Sequence, residues 1–152
     1  MTHEIEAQWM GKMQFNILVN GHTLILDAPE RAGGDDNGPI PKPLILSALA
    51  GCSGMDIANL LKRSGNTMDD LEIKVTGELT KQAPIAYNAI HLVYKFKGPL
   101  ANMDAALNAV LTSQEQLCGV SSMLKKIMPV SWDVFYNGKQ VYTTLIQLPH
   151  LN

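Results

Sequence analysis

Two thiols are the side chains of this chain best suited to chemistry. Cys52 and Cys118 are its only cysteines. A thiolate is a nucleophile, and its sulfur can climb a ladder of oxidation states whose first steps reverse. Cys52 lies in the apolar run Pro43-Leu44-Ile45-Leu46-Ser47-Ala48-Leu49-Ala50-Gly51-Cys52-Ser53-Gly54-Met55-Asp56. Cys118 lies in Gln116-Leu117-Cys118-Gly119-Val120-Ser121-Ser122-Met123-Leu124-Lys125-Lys126, where one helical pattern stops and another begins. Neither has the close CxxC spacing of a zinc knuckle or a thioredoxin motif. A buried thiol among small residues, with a second at a helix start, suggests a redox pair built by the fold. That reading requires the two sulfurs to meet in space.

Each thiol also has a plain structural reading. Free cysteines are among the most buried residues. Burial alone lifts a thiol above its usual pKa and makes it inert. Asp56, one helical turn after Cys52, opposes ionisation if it faces the sulfur. A thiol at a helix N-terminus feels unpaired N–H groups instead, so Cys118 is expected to be the more easily ionised.

Other candidates are few. Arg31 and Arg63 are the only arginines, so any bidentate grip on an anion or peroxide oxygen must use one of them. Arg31 is either a solvated loop charge or a group that folds over a pocket. His3, His22, His91 and His150 are scattered without metal-ligand spacing, and His91 is expected to face water. Asp35-Asp36-Asn37-Gly38 begins like a calcium loop but lacks the closing glutamate. The eight methionines read as core filler.

The elements that must position these residues follow from periodicity. Asn20-Gly21 between Gln14–Val19 and His22–Asp27 predicts a two-residue hairpin, because both turn residues need positive φ. Glu4 to Trp9 adds a strand before it. Ala28 to Lys42 is dense in Gly, Pro and Asp and reads as an irregular loop. A long helix follows, with Pro43 in its first turn, Lys62 and Arg63 at its carbonyl end and Gly65 as its stop. Its first half, Leu44 to Ala50, is apolar on nearly every face and is expected to be buried all round. Gly51 and Gly54 suggest close approach of another backbone.

Leu71 to Leu79 and Ile90 to Lys97 alternate as strands around Lys81-Gln82-Ala83-Pro84. Met103 to Leu117 repeats at helical spacing with Asn102 as cap, and Val120 to Ile127 is a short further helix. Val130 to Tyr136 is a strand, and Asn137-Gly138 turns it into Val141 to Leu148. The order βββ, α, ββ, αα, ββ predicts an α+β fold, with antiparallel sheets, in one domain spanning 1–152.

Composition narrows the partners. The net charge is -2, with only 12 lysines and arginines, so no basic stripe for nucleic acid is visible. Two cysteines are too few for a disulfide framework. The start, Met1-Thr2-His3-Glu4, lacks a signal-peptide pattern, and Leu44 to Leu61, the longest apolar stretch, is interrupted by Ser47, Ser53, Asp56 and Asn59. A cytoplasmic protein with no membrane or nucleic-acid partner is the expectation.

The two cysteine segments together resemble the OsmC/Ohr family, the osmotically inducible protein C and organic hydroperoxide resistance proteins. Gly38-Pro39, Pro41, Leu44 to Leu46 and Ala48-Leu49-Ala50-Gly51-Cys52 carry the first part. Cys118-Gly119-Val120-Ser121-Ser122-Met123-Leu124 carries the second. The resemblance runs from about Arg31 to Val134 and is nearest to the OsmC-like branch. It implies an intertwined homodimer built around the long helix, with the sites at the subunit interface. It implies that Cys52 is the peroxidatic thiol, Cys118 the resolving thiol, and Arg31 the group that holds thiolate and peroxide. It implies no flavin, haem or metal, and an external dithiol reductant, in some members a lipoylated protein. Two positions depart from the pattern: Lys42 and Pro43 stand where members commonly carry a glutamate, and Gly119 stands where many have proline.

The expected function is thiol-dependent reduction of organic hydroperoxides in oxidative stress defence. The alternative is a non-catalytic redox-sensing or small-molecule-binding module on the same fold. A third reading is a purely structural dimer with two buried cysteines.

Overall fold

The structure is a computed structural model that describes residues 2–145. Two compact units divide it, Met1–Ile45 and Leu46–Asn152. The mixed α+β architecture matches the sequence expectation.

The first unit is a three-stranded antiparallel sheet of β1 (Glu6–Gly11), β2 (Gln14–Val19) and β3 (His22–Leu26). Asn20 at φ 49° and Gly21 at φ 81° make the expected turn, which pairs Val19 with His22. The loop after β3 is more ordered than its composition suggests. It contains a short 3-10 turn, Glu30–Ala32. Buried Asp27 organises it, its carboxylate accepting N–H groups from Ala28, Asp35 and Asn37 at 2.8, 3.0 and 3.1 Å. Burial alone would raise the Asp27 pKa. Those three donors, with the nearby Lys12 charge, outweigh it and hold the carboxyl below its ordinary value. Gly34 is obligatory here, since a Cβ would sit 1.9 Å from the Ala28 carbonyl oxygen.

The second unit packs helices on one face of a four-stranded sheet ordered β4-β5-β6-β7. The strands are β4 (Asp70–Leu79), β5 (Tyr87–Lys97), β6 (Val130–Tyr136) and β7 (Lys139–Thr143). The sheet is not wholly antiparallel as expected: β5 and β6 run parallel. The helical segment between them carries the chain back to the same end of the sheet, so a parallel pairing results. Asn137 and Gly138 turn β6 into β7 with φ 48° and 83°. The expected last strand is longer, but its residues 146–148 lie outside the described residues, as does His150.

α1 (Leu44–Arg63) buries Leu49, Ser53, Ile57 and Leu61, a stripe at four-residue spacing. It ends as a Schellman motif: Gly65 at φ 71° donates to Lys62 O at 3.2 Å and Asn66 to Leu61 O at 3.0 Å. Its first half is not buried all round. Ile45 is 43% exposed, and Ser47 and Ala48 are exposed. The glycines meet no second backbone. Nothing stands within 4 Å of a Cβ on Gly51, while one on Gly54 would meet Ile73 Cδ1 at 3.1 Å. An 18-residue stretch of α1 has a mean hydropathy of 1.6, enough by length and composition alone to span a bilayer, as the core helix of a water-soluble protein also can have. Its polar interruptions have another use, because Ser53 and Asp56 belong to a polar cluster inside this unit.

α2 (Met103–Thr112) stops earlier than its spacing predicts and passes into a turn of π-helix, Ser113–Leu117, before α3 (Gly119–Lys125). Asn102 does not cap α2 with its side chain; it is the last residue of a 3-10 turn, Leu100–Asn102, and donates instead to Thr67 O at 2.9 Å. On the opposite sheet face, His91 does not simply face water. Its Nδ1 lies 2.8 Å from Ser131 Oγ and its Nε2 lies 3.3 Å from Asp133 Oδ2, because parallel β6 places both beside it.

Candidate active site

Cys52 stands on the third turn of α1, one residue before buried Ser53. Cys118 lies at the end of the π-turn and caps α3, its backbone extended at φ -66° and ψ 101°. Its sulfur accepts the Ser121 N–H at 3.4 Å. The fold thus brings together residues 66 positions apart: the two sulfurs and a carboxylate oxygen of Asp56 all lie within 4.8 Å of one another. Cys52 and Asp56 share a helix face because they are four residues apart. Both thiols are free.

The burial of the two thiols is the reverse of the sequence expectation. Cys118 is 2% exposed and Cys52 is half-buried. The helix N-terminus does not make Cys118 a ready thiolate. Its pKa is pushed up to about 11, chiefly by burial; the Ser121 N–H opposes this, while contact with Cys52 and the charge of Asp56 add to it. Cys118 is therefore a thiol at neutral pH, with a proton to direct at its neighbour.

A buried polar network holds this arrangement. Ser53 Oγ and Tyr94 Oη are 2.6 Å apart. Gln114 Nε2 donates to Tyr94 Oη at 2.7 Å, and Ser121 Oγ donates to Gln114 Oε1 at 2.7 Å. Ser113 Oγ lies 3.0 Å from Asp56 Oδ2 and 3.3 Å from Ser53 Oγ. Burial raises Tyr94 to about 12, so the phenol keeps its proton. Lys125 donates to the Gln114 carbonyl at 2.6 Å, and its ammonium stands 4.5 Å from the Trp132 ring centre. Burial lowers the Lys125 pKa, while Glu115 and Cys118 act to raise it.

Sequence reasoning found Cys52 and Cys118 but missed Ser53, Tyr94, Ser113, Gln114 and Ser121. One signal was available. Ser53 is the single polar residue on the buried stripe Leu49–Ser53–Ile57–Leu61, and a buried hydroxyl needs a partner. Arg31 is exposed, on the 3-10 turn of the first unit.

Both the sequence and the fold have known relatives. The sequence matches the family described as OsmC-like protein over residues 33–133, and the chain belongs to that family. It is 30% identical to "Protein YhfA" of Escherichia coli K12 over 129 residues, which cover 84% of this chain and 93% of that protein. A hypothetical protein from Aquifex aeolicus VF5 superposes with a TM-score of 0.75 at 25% identity, covering 90% of this chain and 98% of that one. The organic hydroperoxide resistance protein OsmC of Legionella pneumophila shares the fold, with a TM-score of 0.65 at 18% identity and coverage of 89% and 97%.

Proposed function

We propose that this chain is a thiol-dependent peroxidase that reduces organic hydroperoxides through Cys52 and Cys118. The observation that carries the reading is the pairing of a half-buried and a buried sulfur within 4.8 Å. Membership of the OsmC family, and a fold shared with a protein named for hydroperoxide resistance, support the substrate class.

The chemistry runs in three steps. The Cys52 thiolate attacks the terminal peroxide oxygen; the O–O bond breaks, that oxygen stays on sulfur with its proton as a sulfenic acid, and the alkoxide leaves as the alcohol by taking a proton from solvent. The Cys118 sulfur then attacks that sulfenic sulfur, and the hydroxyl leaves as water with the Cys118 proton. An external dithiol, such as a lipoylated protein, reduces the disulfide and restores both thiols. Exposure sets the order, because peroxide reaches Cys52 more readily than a sulfur that is 2% exposed. Arg31 is the proposed guanidinium for the thiolate and the peroxide oxygen.

The same proposal places the protein in the cytoplasm, in oxidative stress defence, as a homodimer. Large apolar side chains left exposed within each unit support the dimer. Met55 and Ile127 are each 75% exposed in the second unit, and Trp9 is 63% exposed in the first.

Stopped-flow oxidation by cumene hydroperoxide, followed by non-reducing peptide mapping, tests the mechanism. A rapid second-order reaction ending in a Cys52–Cys118 disulfide supports it. Slow oxidation that still ends in a reversible disulfide favours the redox-sensing module, which Lys42 and Pro43 in place of the orienting glutamate also favour. Absence of that disulfide sinks both readings.

A further inference from the structure

The peroxidase reading uses the two sulfurs and leaves Asp56 without a role. Yet Asp56 places a carboxylate oxygen within 4.8 Å of both sulfurs, on a helix face it shares with Cys52. Ser113 holds that carboxylate through a 3.0 Å hydrogen bond to Oδ2. Cys118 is fixed separately, by the backbone bond from its N–H to Ser113 O at 2.8 Å and by the Ser121 N–H on its sulfur. Two rigid elements therefore present three donors to one point. A cavity of about 300 Å³, lined by Gln114 to Gly119, Ser122 and Lys125, abuts Cys118.

We infer that Cys52, Cys118 and Asp56 form a binding site for a thiophilic divalent cation of the zinc class. Such ions take sulfur ligands at roughly 2.3 Å and carboxylate oxygen at roughly 2.0–2.2 Å, in tetrahedral geometry. Tetrahedral angles at those lengths put the sulfurs about 3.8 Å apart, so the pair closes by about 1 Å at most. Three protein ligands leave the fourth position to water or an added ligand. Two thiolates reject magnesium and calcium, which prefer all-oxygen sites. The Ser113 hydroxyl is the outer hydrogen bond that orients a ligating carboxylate.

Binding is an acid–base exchange without redox change. The cation replaces the two thiol protons, which go to solvent, and two sulfur–metal bonds form. Both sulfurs are then committed to the ion, so occupancy must slow attack on peroxide and block disulfide closure. This inference stands apart from turnover: a chain that consumes no peroxide at all can still hold the ion.

The test is titration of the reduced, chelator-stripped protein with zinc chloride against a chromophoric chelator, with cadmium used to read the thiolate charge-transfer band in the ultraviolet. One ion per chain is expected, with both sulfurs contributing to the cadmium band and no response to magnesium. Asp56→Asn should weaken zinc at least tenfold, Asp56→Glu should recover most of that loss, and Ser113→Ala should weaken it by roughly tenfold. Cys118→Ser should remove the site. Circular dichroism of each variant without metal shows whether the fold is kept, and the Asp56→Glu recovery decides the matter if Asp56→Asn is disturbed. Failure to bind zinc at ten micromolar overturns the inference. So does tight binding that Asp56→Asn and Cys118→Ser leave unchanged, which would put the ion elsewhere, as at His91 and Asp133. Peroxide oxidation of the zinc-free protein, run in parallel, reports on the peroxidase reading alone.

Discussion

The Ser53 hydroxyl and the Tyr94 phenol lie 2.6 Å apart in the core of the second unit, tying the helix that carries Cys52 to the second strand of the sheet. Gln114 joins the same pair from the chain leading to Cys118, so one buried hydrogen-bond cluster sets the positions of both sulfurs. Tyr94→Phe removes the shared hydroxyl and leaves the Gln114 amide with one partner fewer. The expected cost is about 1–3 kcal/mol, the usual penalty for an unsatisfied buried polar group. Urea unfolding should show a lower midpoint with an unchanged slope. The Cys52–Cys118 disulfide should also close more slowly after peroxide. An unaltered midpoint would mean that the cluster is not a structural anchor.

The order of thiol reactivity follows from burial. Cys118 is raised to about 11, and Cys52 is the more exposed sulfur. Iodoacetamide at pH 8 should label Cys52 first by a wide margin in the reduced protein, with Cys118 labelling gaining as pH approaches 11. Cys52→Ser should abolish peroxide turnover. Cys118→Ser should permit one oxidation and then stall as a sulfenic acid, which dimedone captures. Preferential labelling of Cys118 at pH 8 would reverse the assigned roles.

The same shift fixes the sign of a stability change. The folded pKa of Cys118 lies above its ordinary 9.0, so between about 9 and 11 the folded chain keeps a proton that the unfolded chain has lost. Stability from this group is therefore complete below pH 9 and is lost as pH rises towards 11. Tyr94 acts with the same sign from 10 to about 12. Denaturation of reduced, chelated protein between pH 8 and 11 should show a smaller decline in Cys118→Ala than in the unaltered chain. Equal declines would assign the loss to Tyr94 and other groups.

Asp27 behaves in the opposite sense. Its folded pKa is lowered because three N–H donors outweigh burial, so its contribution is present above the unfolded carboxylate value, near 3.8, and fades as pH falls through the folded one. Asp27→Asn keeps the shape but donates where the carboxylate accepted. It should lower the melting temperature at pH 7, and the gap from the unaltered chain should narrow below about pH 4. Limited proteolysis should cut the variant first between residues 28 and 42. An equal melting temperature at pH 7 would show that the loop is held by other bonds.

Much of this fold was legible because local rules decided it. Asn20-Gly21 and Asn137-Gly138 each demanded positive φ, and both became hairpin turns. Gly65 marked the end of α1 for the same reason. Alternation in β5 gave the buried face, and alternation in β4 the half-buried one. What stayed hidden depends on residues distant in sequence. The parallel β5–β6 pairing, the contacts of His91 and the reversed burial of the two thiols are set by packing, which no local pattern encodes. The π-turn at Ser113–Leu117 preserves a helical rhythm, so periodicity read it as more α-helix. Met55 and Ile45 looked like core residues by type, yet they are 75% and 43% exposed.

That openness is a prediction about assembly. Met55 is 75% exposed on the helix that carries Cys52, so Met55→Lys should cost a lone unit little. A homodimer that covers it should instead dissociate, since an uncompensated ammonium would then be buried. Light scattering at micromolar concentration should read dimer for the unaltered chain and a shift towards monomer for the variant. A folded monomer in both would refute the dimer.

Arg31 carries the remaining burden of the peroxidase reading. It stands exposed in its own unit, on a 3-10 turn held between Pro29 and Gly33. If it serves the reaction, its charge favours the Cys52 thiolate and its planar fork holds a peroxide oxygen. Arg31→Lys retains charge without the fork, so the oxidation rate should fall more than the thiol pKa rises. Arg31→Met should change both. Lys42→Glu and Pro43→Glu restore a carboxylate where family members commonly have one, and should raise the rate if the guanidinium lacks an orienting partner. Thiolate absorbance at 240 nm and single-turnover oxidation by cumene hydroperoxide, measured across these variants, separate the effects. A rate and a titration curve that Arg31→Met leaves unchanged would make Arg31 a solvated loop charge. The two thiols would then remain a redox pair without an anion clamp, as a sensing module requires.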